Sequence, residues 1–374
     1  MPLARYSPSM ARREASEPVV TVLGLGQMGL VCAGILASGP IEIGVATPLN
    51  RPVRVRVWGR NPAEAATLAQ KRVSPRLAHF RLADEVEVCL SLADALRDSR
   101  LVVTAIPVQF LRSALTQAAP HLTSGAGILS VSKGIEERTM RRPSEVIAET
   151  LQATGLDHPD RRPRPIGCLS GPTIAAELSR CLPAAMVAAS DDAEFAKQVQ
   201  ALFTTSWLRV YTSSDLVGVE LAGAVKNVIA IAAGVLDGLN AGNNSKSAVL
   251  ARGPAEITRL GVALGASAQT FSGIAGVGDL ATSCFSPEGR NRSCGEAIGR
   301  GENVEQYLAQ SRYVVEGVAT TKGVIALAEK YRVEVPIARA VYSVLFEKMD
   351  PLAAIGSLMS RAARPERDDE ARRV

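Results

Sequence analysis

Through the first half of the chain, short runs rich in Val, Leu and Ile alternate with segments whose apolar positions repeat at helical spacing. The runs Val19–Leu23, Val53–Trp58, Leu101–Ile106, Gly127–Ser132 and Ile166–Ser170 predict strands, with helices between several of them, such as Leu30–Ala37 and Pro62–Ala69. Strands alternating with helices imply a parallel sheet covered on both faces. After Leu208–Asp215 (LRVYTSSD) the strand signals fade. Long Ala-, Leu- and Val-rich segments take over at Val217–Leu239, Ser247–Leu264, Val318–Lys330 and Val335–Phe346, and these predict a helical second domain. The pattern divides the chain into a disordered leader over 1–17, an α/β domain over 18–210, an all-α domain over 211–360 and a disordered tail over 361–374. An insertion at 40–52 separates the first helix from the second strand, and a Pro- and Arg-rich insertion at 153–165 reads as a surface loop.

A chain of 374 residues with 47% hydrophobic and 21% charged residues is long enough for two cores. No apolar run reaches the length expected of a transmembrane helix, so no stable membrane insertion is expected. The six cysteines form no C-x-x-C pair and the three histidines are scattered, which argues against a disulfide framework, a metal site and a His-centred triad. The net charge of +5 comes with arginine-rich ends but no interleaved aromatics. That excludes nucleic acid as the favoured partner and suits a small anionic substrate. The Arg- and Ser-containing leader reads as a solvated extension of a cytoplasmic protein, with an organellar transit peptide as the alternative.

Chemistry enters with Gly24-Leu25-Gly26-Gln27-Met28-Gly29, which follows an apolar strand and opens a helix. That context is the one a dinucleotide-binding turn needs. Gly24 permits the tight turn, Gly26 lets backbone approach a pyrophosphate, and Gly29 allows close packing of helix on strand. The first domain is therefore read as a Rossmann-type doubly wound sheet. The second strand ends at Gly59-Arg60 without the carboxylate that usually holds a ribose 2′-hydroxyl. An arginine there can pair a 2′-phosphate, so NADPH should be accepted; a solvated arginine is the alternative.

Val219–Leu239 is apolar almost all round and should be a buried helix, interrupted by Lys226 and Asn227. A lone buried ammonium is costly and needs a counter-charge or a chemical role. Lys226 is the candidate to polarise a carbonyl and protonate the alkoxide made by hydride transfer; a structural ion pair is the alternative. Asp279 lies in a Gly-rich entry to a helix, where it could pair with Lys226, hold a substrate hydroxyl or serve as a cap. Gly289-Arg290-Asn291 offers a fork-shaped cation, an amide and accessible backbone, which suit a phosphate.

The ordered blocks VWGRNP, AIPVQFLRSAL, SVSKGIE, LSGPTIAAEL, GVELAGAVKNVIAIAAG, LARGPAEITRLG, AGVGDLATSC, GRN and VVEGV, together with the glycine turn, span Val20 to about Met359. In this the chain closely resembles the NAD(P)-dependent glycerol-3-phosphate dehydrogenases of the bacterial and organellar type. The resemblance implies reversible reduction of dihydroxyacetone phosphate to sn-glycerol 3-phosphate, with NADPH and/or NADH, in the service of glycerophospholipid synthesis. It makes Lys226 the proton donor and acceptor, with Asp279 and Lys133 beside it. It places Lys133, Gly171, Thr173, Lys226, Asn227, Asp279, Gly289, Arg290 and Asn291 at the substrate. Gly24, Gly26, Gln27, Met28, Gly29, Arg60, Lys133, Ala175, Arg290 and Glu316 would then touch the cofactor. A phosphorylated small molecule is the expected partner, and the helical second domain is compatible with a homodimer.

Three positions depart from the family's pattern. Met28 stands where an aromatic residue is usual, Gly289 where a serine is frequent, and Ser283 where eukaryotic relatives commonly have threonine. The spelling Gly-Leu-Gly-Gln-Met-Gly is closer to the β-hydroxyacid dehydrogenases, so a β-hydroxyacid dehydrogenase or imine reductase is the enzymatic alternative. A catalytically silent, dinucleotide-sensing protein on the same fold is the other.

Overall fold

A computed structural model describes residues 17–38, 53–157, 164–311, 314–363 and 365–366. Residues 1–16, the 40–52 insertion, 158–163 of the second insertion and most of the tail beyond residue 363 lie outside the described residues, and with them the expectations placed on those segments.

Ten strands are present among the described residues: β1 (Val19–Leu23), β2 (Arg54–Trp58), β3 (Val73–Ser74), β4 (Leu77–Arg81), β5 (Glu87–Cys89), β6 (Ser99–Thr104), β7 (Gly127–Ser130), β8 (Ile166–Ser170), β9 (Ala184–Ser190) and β10 (Leu208–Ser213). Eight of them form one sheet in the order β10-β9-β8-β7-β6-β1-β2-β5, and β3 with β4 makes a small separate hairpin. β1 is buried along its whole length, as a strand covered on both faces must be. Its one polar side chain, Thr21, donates to the carbonyl of Ala95 at 2.5 Å and hydrogen-bonds the Ser99 hydroxyl at 2.7 Å. One face of the sheet packs against Leu30, Val31, Ile35 and Leu36 of the Gln27–Ala37 helix and Phe195, Val199 and Leu202 of the Ala193–Phe203 helix. The other packs against Leu111 and Leu115 of the Val108–Ala118 helix and Val146, Ile147 and Leu151 of the Pro143–Ala153 helix.

The expected all-parallel sheet needs one correction. β8 and β9 run antiparallel, and β10 then runs parallel to β9. The connection from Ser170 to Ala184 holds only the one-turn helix Ala175–Leu178. It is too short and too irregular for the helical crossover that a parallel neighbour requires. The last strand lies across the expected division at residue 210. Tyr211, where the second domain was expected to begin, pairs with Val187 inside β10, so the sheet runs past residue 210 to Ser213.

Asp215 begins the helical half. Its carboxylate accepts from the backbone of Gly218 at 2.8 Å and caps the helix Leu216–Gly238. By length and composition this helix could cross a membrane, with mean hydropathy 1.7, contrary to the expectation that no run is long enough. Instead, 89% of its most apolar 18-residue window is buried within the protein. The Gly242–Ala263, Arg290–Gly299, Glu316–Tyr331 and Pro336–Phe346 helices build the second core around it. The two halves are tied by Glu220 of the central helix. It accepts from the Ser144 backbone at 2.8 Å and pairs with Arg142 at 2.6 Å at the start of the Pro143–Ala153 helix.

Glu256 does comparable work inside the helical half. Only 1% exposed, it accepts from the backbone N–H groups of Ile337 and Ala338, both at 2.8 Å, at the start of the Pro336–Phe346 helix. Burial pushes its carboxyl up to about 7 from 4.5. Glu256→Ala strands two buried donors, each worth about 1–3 kcal/mol, and should lower the unfolding free energy at pH 5 by about 2–4 kcal/mol in chemical denaturation. The folded state holds this proton between pH 4.5 and about 7 where the unfolded chain does not. The stabilisation from Glu256 is therefore greatest below 4.5 and is lost as pH rises through 7. The gap between wild type and variant should narrow from pH 5 to pH 8; a widening gap would contradict the assignment.

Candidate active site

The sheet order reverses between β1 and β6: from β1 the chain winds outward to β2 and β5, and from β6 to β7 and β8. A crevice opens beyond the carboxyl ends of the strands at such a point. Gly24, Arg60, Lys133 and Gly171 all sit just past strand ends there, after β1, β2, β7 and β8.

The turn after β1 is built for close approach. Gly24 has φ +120°, and a Cβ on it would lie 2.4 Å from the carbonyl oxygen of Ala105; a Cβ on Gly29 would lie 1.9 Å from that of Gly24. A Cβ on Gly26 would meet nothing within 4 Å, so this backbone faces open space. Gly26 leads into the Gln27–Ala37 helix, whose first N–H groups have no side-chain cap. Free donors at the positive end of a helix, behind bare glycine backbone, fit a pyrophosphate. Gln27 turns away and donates to the Arg76 carbonyl at 2.9 Å, and Met28 packs partly into the core. Arg60 is exposed, its guanidinium 5.7 Å from the centre of the Phe110 ring.

Across the crevice, Asp279 receives two ammonium groups. Lys226 Nζ donates to its Oδ1 at 2.5 Å and Lys133 Nζ to its Oδ2 at 2.6 Å. Asp279 is 1% and Lys226 6% exposed. The carboxylate is presented by a wide π-type turn, Ile274–Gly278, that runs into the Asp279–Phe285 helix; such turns are frequent at functional sites. Lys226 also donates to the Ser283 hydroxyl at 2.6 Å, and Lys133 to the Gly171 carbonyl at 3.0 Å. Gly171 itself has φ +147°, and its carbonyl accepts a second bond from the Thr173 hydroxyl at 3.1 Å. Burial lowers the Lys226 amine from 10.5 to about 8; the Asp279 carboxylate pulls it upward, and the second ammonium, Lys133, pushes it down. An amine so placed exchanges its proton near neutral pH.

The third group lies on the other side of Lys226. Asn291 accepts from the Gly317 backbone at 2.9 Å, beside Glu316 at the start of the Glu316–Tyr331 helix. A Cβ on Gly317 would touch both Asn291 Oδ1 and the Asn227 carbonyl, at 2.7 and 2.8 Å, which places the two asparagines side by side. The Asn227 side-chain nitrogen is buried without a hydrogen-bond partner, as is the Ser170 hydroxyl. A buried amide in that state is a donor ready for a ligand. Arg290 is exposed and donates to the Val314 carbonyl at 3.2 Å; among the described residues it is not hydrogen-bonded to Lys226, Lys133 or Asp279. Gly289 precedes it without a side-chain cap, so the Arg290–Gly299 helix also begins with free N–H groups. Ala175 opens the one-turn helix after β8 and is buried. Arg60 and the glycine turn stand apart on the sheet side.

Residues 19–196 match the family model of the NAD-dependent glycerol-3-phosphate dehydrogenase N-terminus, and residues 215–356 that of its C-terminus. The chain belongs to this dehydrogenase family. It is 45% identical over 346 residues to the glycerol-3-phosphate dehydrogenase, NAD(P)+, of Parafrankia sp., covering 92% of this chain and 98% of that protein. A second relative of the same name, from Prosthecochloris aestuarii, is 40% identical over 349 residues, with 93% and 99% covered. The crystal structure of glycerol-3-phosphate dehydrogenase from Coxiella burnetii superimposes with a TM-score of 0.83 at 29% identity, covering 92% of this chain and 99% of that one. A ketopantoate reductase from Ralstonia eutropha shares the fold alone, with a TM-score of 0.53 at 14% identity over 90% of this chain and 99% of that one.

Within the dehydrogenase family frame, the sequence left the place of Asp279 open between pairing, substrate contact and capping. The structure has it bridging both lysines, and the helix that it opens has no side-chain cap. Ser283 stood out in the sequence only as a departure from a common threonine. Its contact with Lys226 could have been found from its spacing, one helical turn after Asp279.

Proposed function

We propose that the chain catalyses the reversible NAD(P)H-dependent reduction of dihydroxyacetone phosphate to sn-glycerol 3-phosphate. The observation that carries this reading is a buried ammonium with a lowered pKa, Lys226, held by Asp279 on the helix against which an uncapped, Arg-led helix start is packed. The glycine turn and Arg60 would hold the cofactor, which when bound would supply hydride chemistry from its nicotinamide. Lys226 gives its proton to the carbonyl oxygen as that oxygen becomes an alkoxide, and takes it back in the oxidative direction. Asp279 keeps the ammonium oriented, and Lys133 with the Gly171 and Thr173 turn closes the far side of the substrate. Asn227, with its unpartnered amide, is a donor to a substrate oxygen. The phosphate is assigned to the start of the Arg290–Gly299 helix, which offers uncapped N–H groups after Gly289 together with Arg290 and Asn291. That anion reader separates this reading from a β-hydroxyacid dehydrogenase, and the mobile proton on Lys226 separates it from a silent dinucleotide sensor.

Lys226→Ala should keep the fold and cofactor binding while lowering kcat about 10²–10⁴-fold, the usual worth of general acid–base catalysis. In the wild type the ammonium is required for reduction, so kcat/KM for dihydroxyacetone phosphate should fall as pH rises through about 8. A variant with near-normal turnover would make Lys226 structural.

Arg60 lies where a ribose 2′-phosphate would approach, and a charge-assisted bond exceeds a neutral one. Arg60→Ala should raise the KM for NADPH and leave that for NADH nearly unchanged. Equal loss with both cofactors refutes the 2′-phosphate reading.

Dihydroxyacetone, which lacks the phosphate, should be a very poor substrate, because remote binding energy positions the reacting carbonyl. A charge-assisted hydrogen bond is worth about 1.5–3 kcal/mol, so Arg290→Ala should lower kcat/KM for the phosphorylated substrate roughly 10–150-fold. Its rate on dihydroxyacetone should barely change. If the phosphate preference survives in both Arg290→Ala and Asn291→Ala, the anion is read elsewhere.

A further inference from the structure

The helix that begins at Arg290 lies on the Lys226 helix with almost no side chain between them. A Cβ on Gly234 would fall 2.0 Å from the Arg292 carbonyl oxygen, one on Gly238 2.2 Å from that of Glu296. In return, a Cβ on Gly295 would fall 2.1 Å from the Ile231 carbonyl oxygen and one on Gly299 2.4 Å from that of Val235. Backbone lies directly on backbone over more than a turn of each helix. Such a contact fixes how closely the helices approach, while Cys294 and Ile298 share an apolar cluster with Ile231 and Val235 beside it.

A directional pair spans this contact. Asp237, on the same helix as Lys226, accepts from Arg292 Nε at 2.6 Å, and Arg292 is two residues beyond Arg290. Both Asp237 oxygens also accept from Lys246 Nζ at 2.8 Å. Arg292 is braced in turn by Glu296 at 3.2 Å. The side chains of Asp237, Lys246 and Arg292 are 20%, 10% and 15% exposed, so the pairing is shielded from the solvent that weakens surface ion pairs.

We propose that Asp237 is a positioning residue: by holding Arg292 it sets the axial placement of the Arg290–Asn291 phosphate reader relative to the Lys226 ammonium. The proposal rests on the reading of Lys226 and Arg290 given above. In dihydroxyacetone phosphate the carbonyl and the phosphate are separated by a single methylene and an ester oxygen, so proton donor and anion reader must keep one spacing. A displacement of about 1 Å far from the chemistry can cost on the order of 10²-fold in rate.

Asp237→Asn keeps the shape and removes the charge. With it, kcat/KM for dihydroxyacetone phosphate should fall about 10–100-fold, while the rate on dihydroxyacetone, which never uses the reader, stays within about twofold. The ratio between the two substrates collapses in a protein whose far-ultraviolet circular dichroism is unchanged. Arg292→Gln breaks the same pair from the other helix, should collapse the ratio likewise, and decides the matter if Asp237→Asn does not fold. A purely structural role would lower the melting temperature and depress both substrates together, and that result overturns the proposal. Arg290→Ala measured alongside separates the two levels of the argument. If Arg290→Ala loses the ratio while Asp237→Asn and Arg292→Gln keep it, the positioning role alone is overturned. If Arg290→Ala keeps it, the phosphate reading fails and the proposal with it.

Discussion

An ammonium group inside an apolar helix is the constraint around which the rest of this molecule is arranged. Left alone in that environment it would shed its proton or unfold its surroundings. Asp279 prevents both, and it can do so only because the wide turn at Ile274–Gly278 delivers its carboxylate from a segment distant in sequence. The same carboxylate holds Lys133 from the sheet half, so one buried anion joins the two halves of the chain. Two cations on one anion leave the pair short of negative charge. Burial, with the Lys133 ammonium adding to it, keeps the Lys226 amine near 8 rather than at its usual value, and the excess positive charge suits the approach of an anion.

The glycines of the site answer a different requirement, that of backbone reaching where side chains would obstruct. At Gly24 and Gly29 they bring a helix start against the end of β1; at Gly234, Gly238, Gly295 and Gly299 they bring two helices into direct contact. In each case the glycines accompany a helix that starts without a side-chain cap, one in the sheet half and one in the helical half.

Much of this was legible in the residues. The core strands of the parallel sheet were visible because a doubly covered strand has to be continuously apolar, and β1 and β8 fall where their runs predicted. β9 was not visible: its sequence AAMVAAS is alanine-rich and carries little β preference. The antiparallel return into it follows from the length of a connection, which periodicity does not encode. β3 and the edge strand β5, two and three residues long, were missed because they are too short to show alternation. Lys226 announced itself as a charge in an apolar helix. Its partnership with Lys133 through Asp279 did not, since no sequence pattern links three residues brought together by tertiary structure. Motif resemblance supplied Lys133 where composition and spacing could not.

The hydropathy of the Leu216–Gly238 helix has a consequence for how the chain comes to be folded. Synthesis proceeds from the N-terminus, so when Gly238 has emerged, the helices Gly242–Ala263, Arg290–Gly299 and Glu316–Tyr331 that cover it do not yet exist. For that interval the nascent chain displays a segment with the length and apolarity of a bilayer-crossing helix, carrying one ammonium whose counter-ion lies more than fifty residues ahead. Lys226, with Glu220 and Asp237 on the same helix, puts charge into that segment from the start, and charge within an apolar helix makes it a poor membrane passenger.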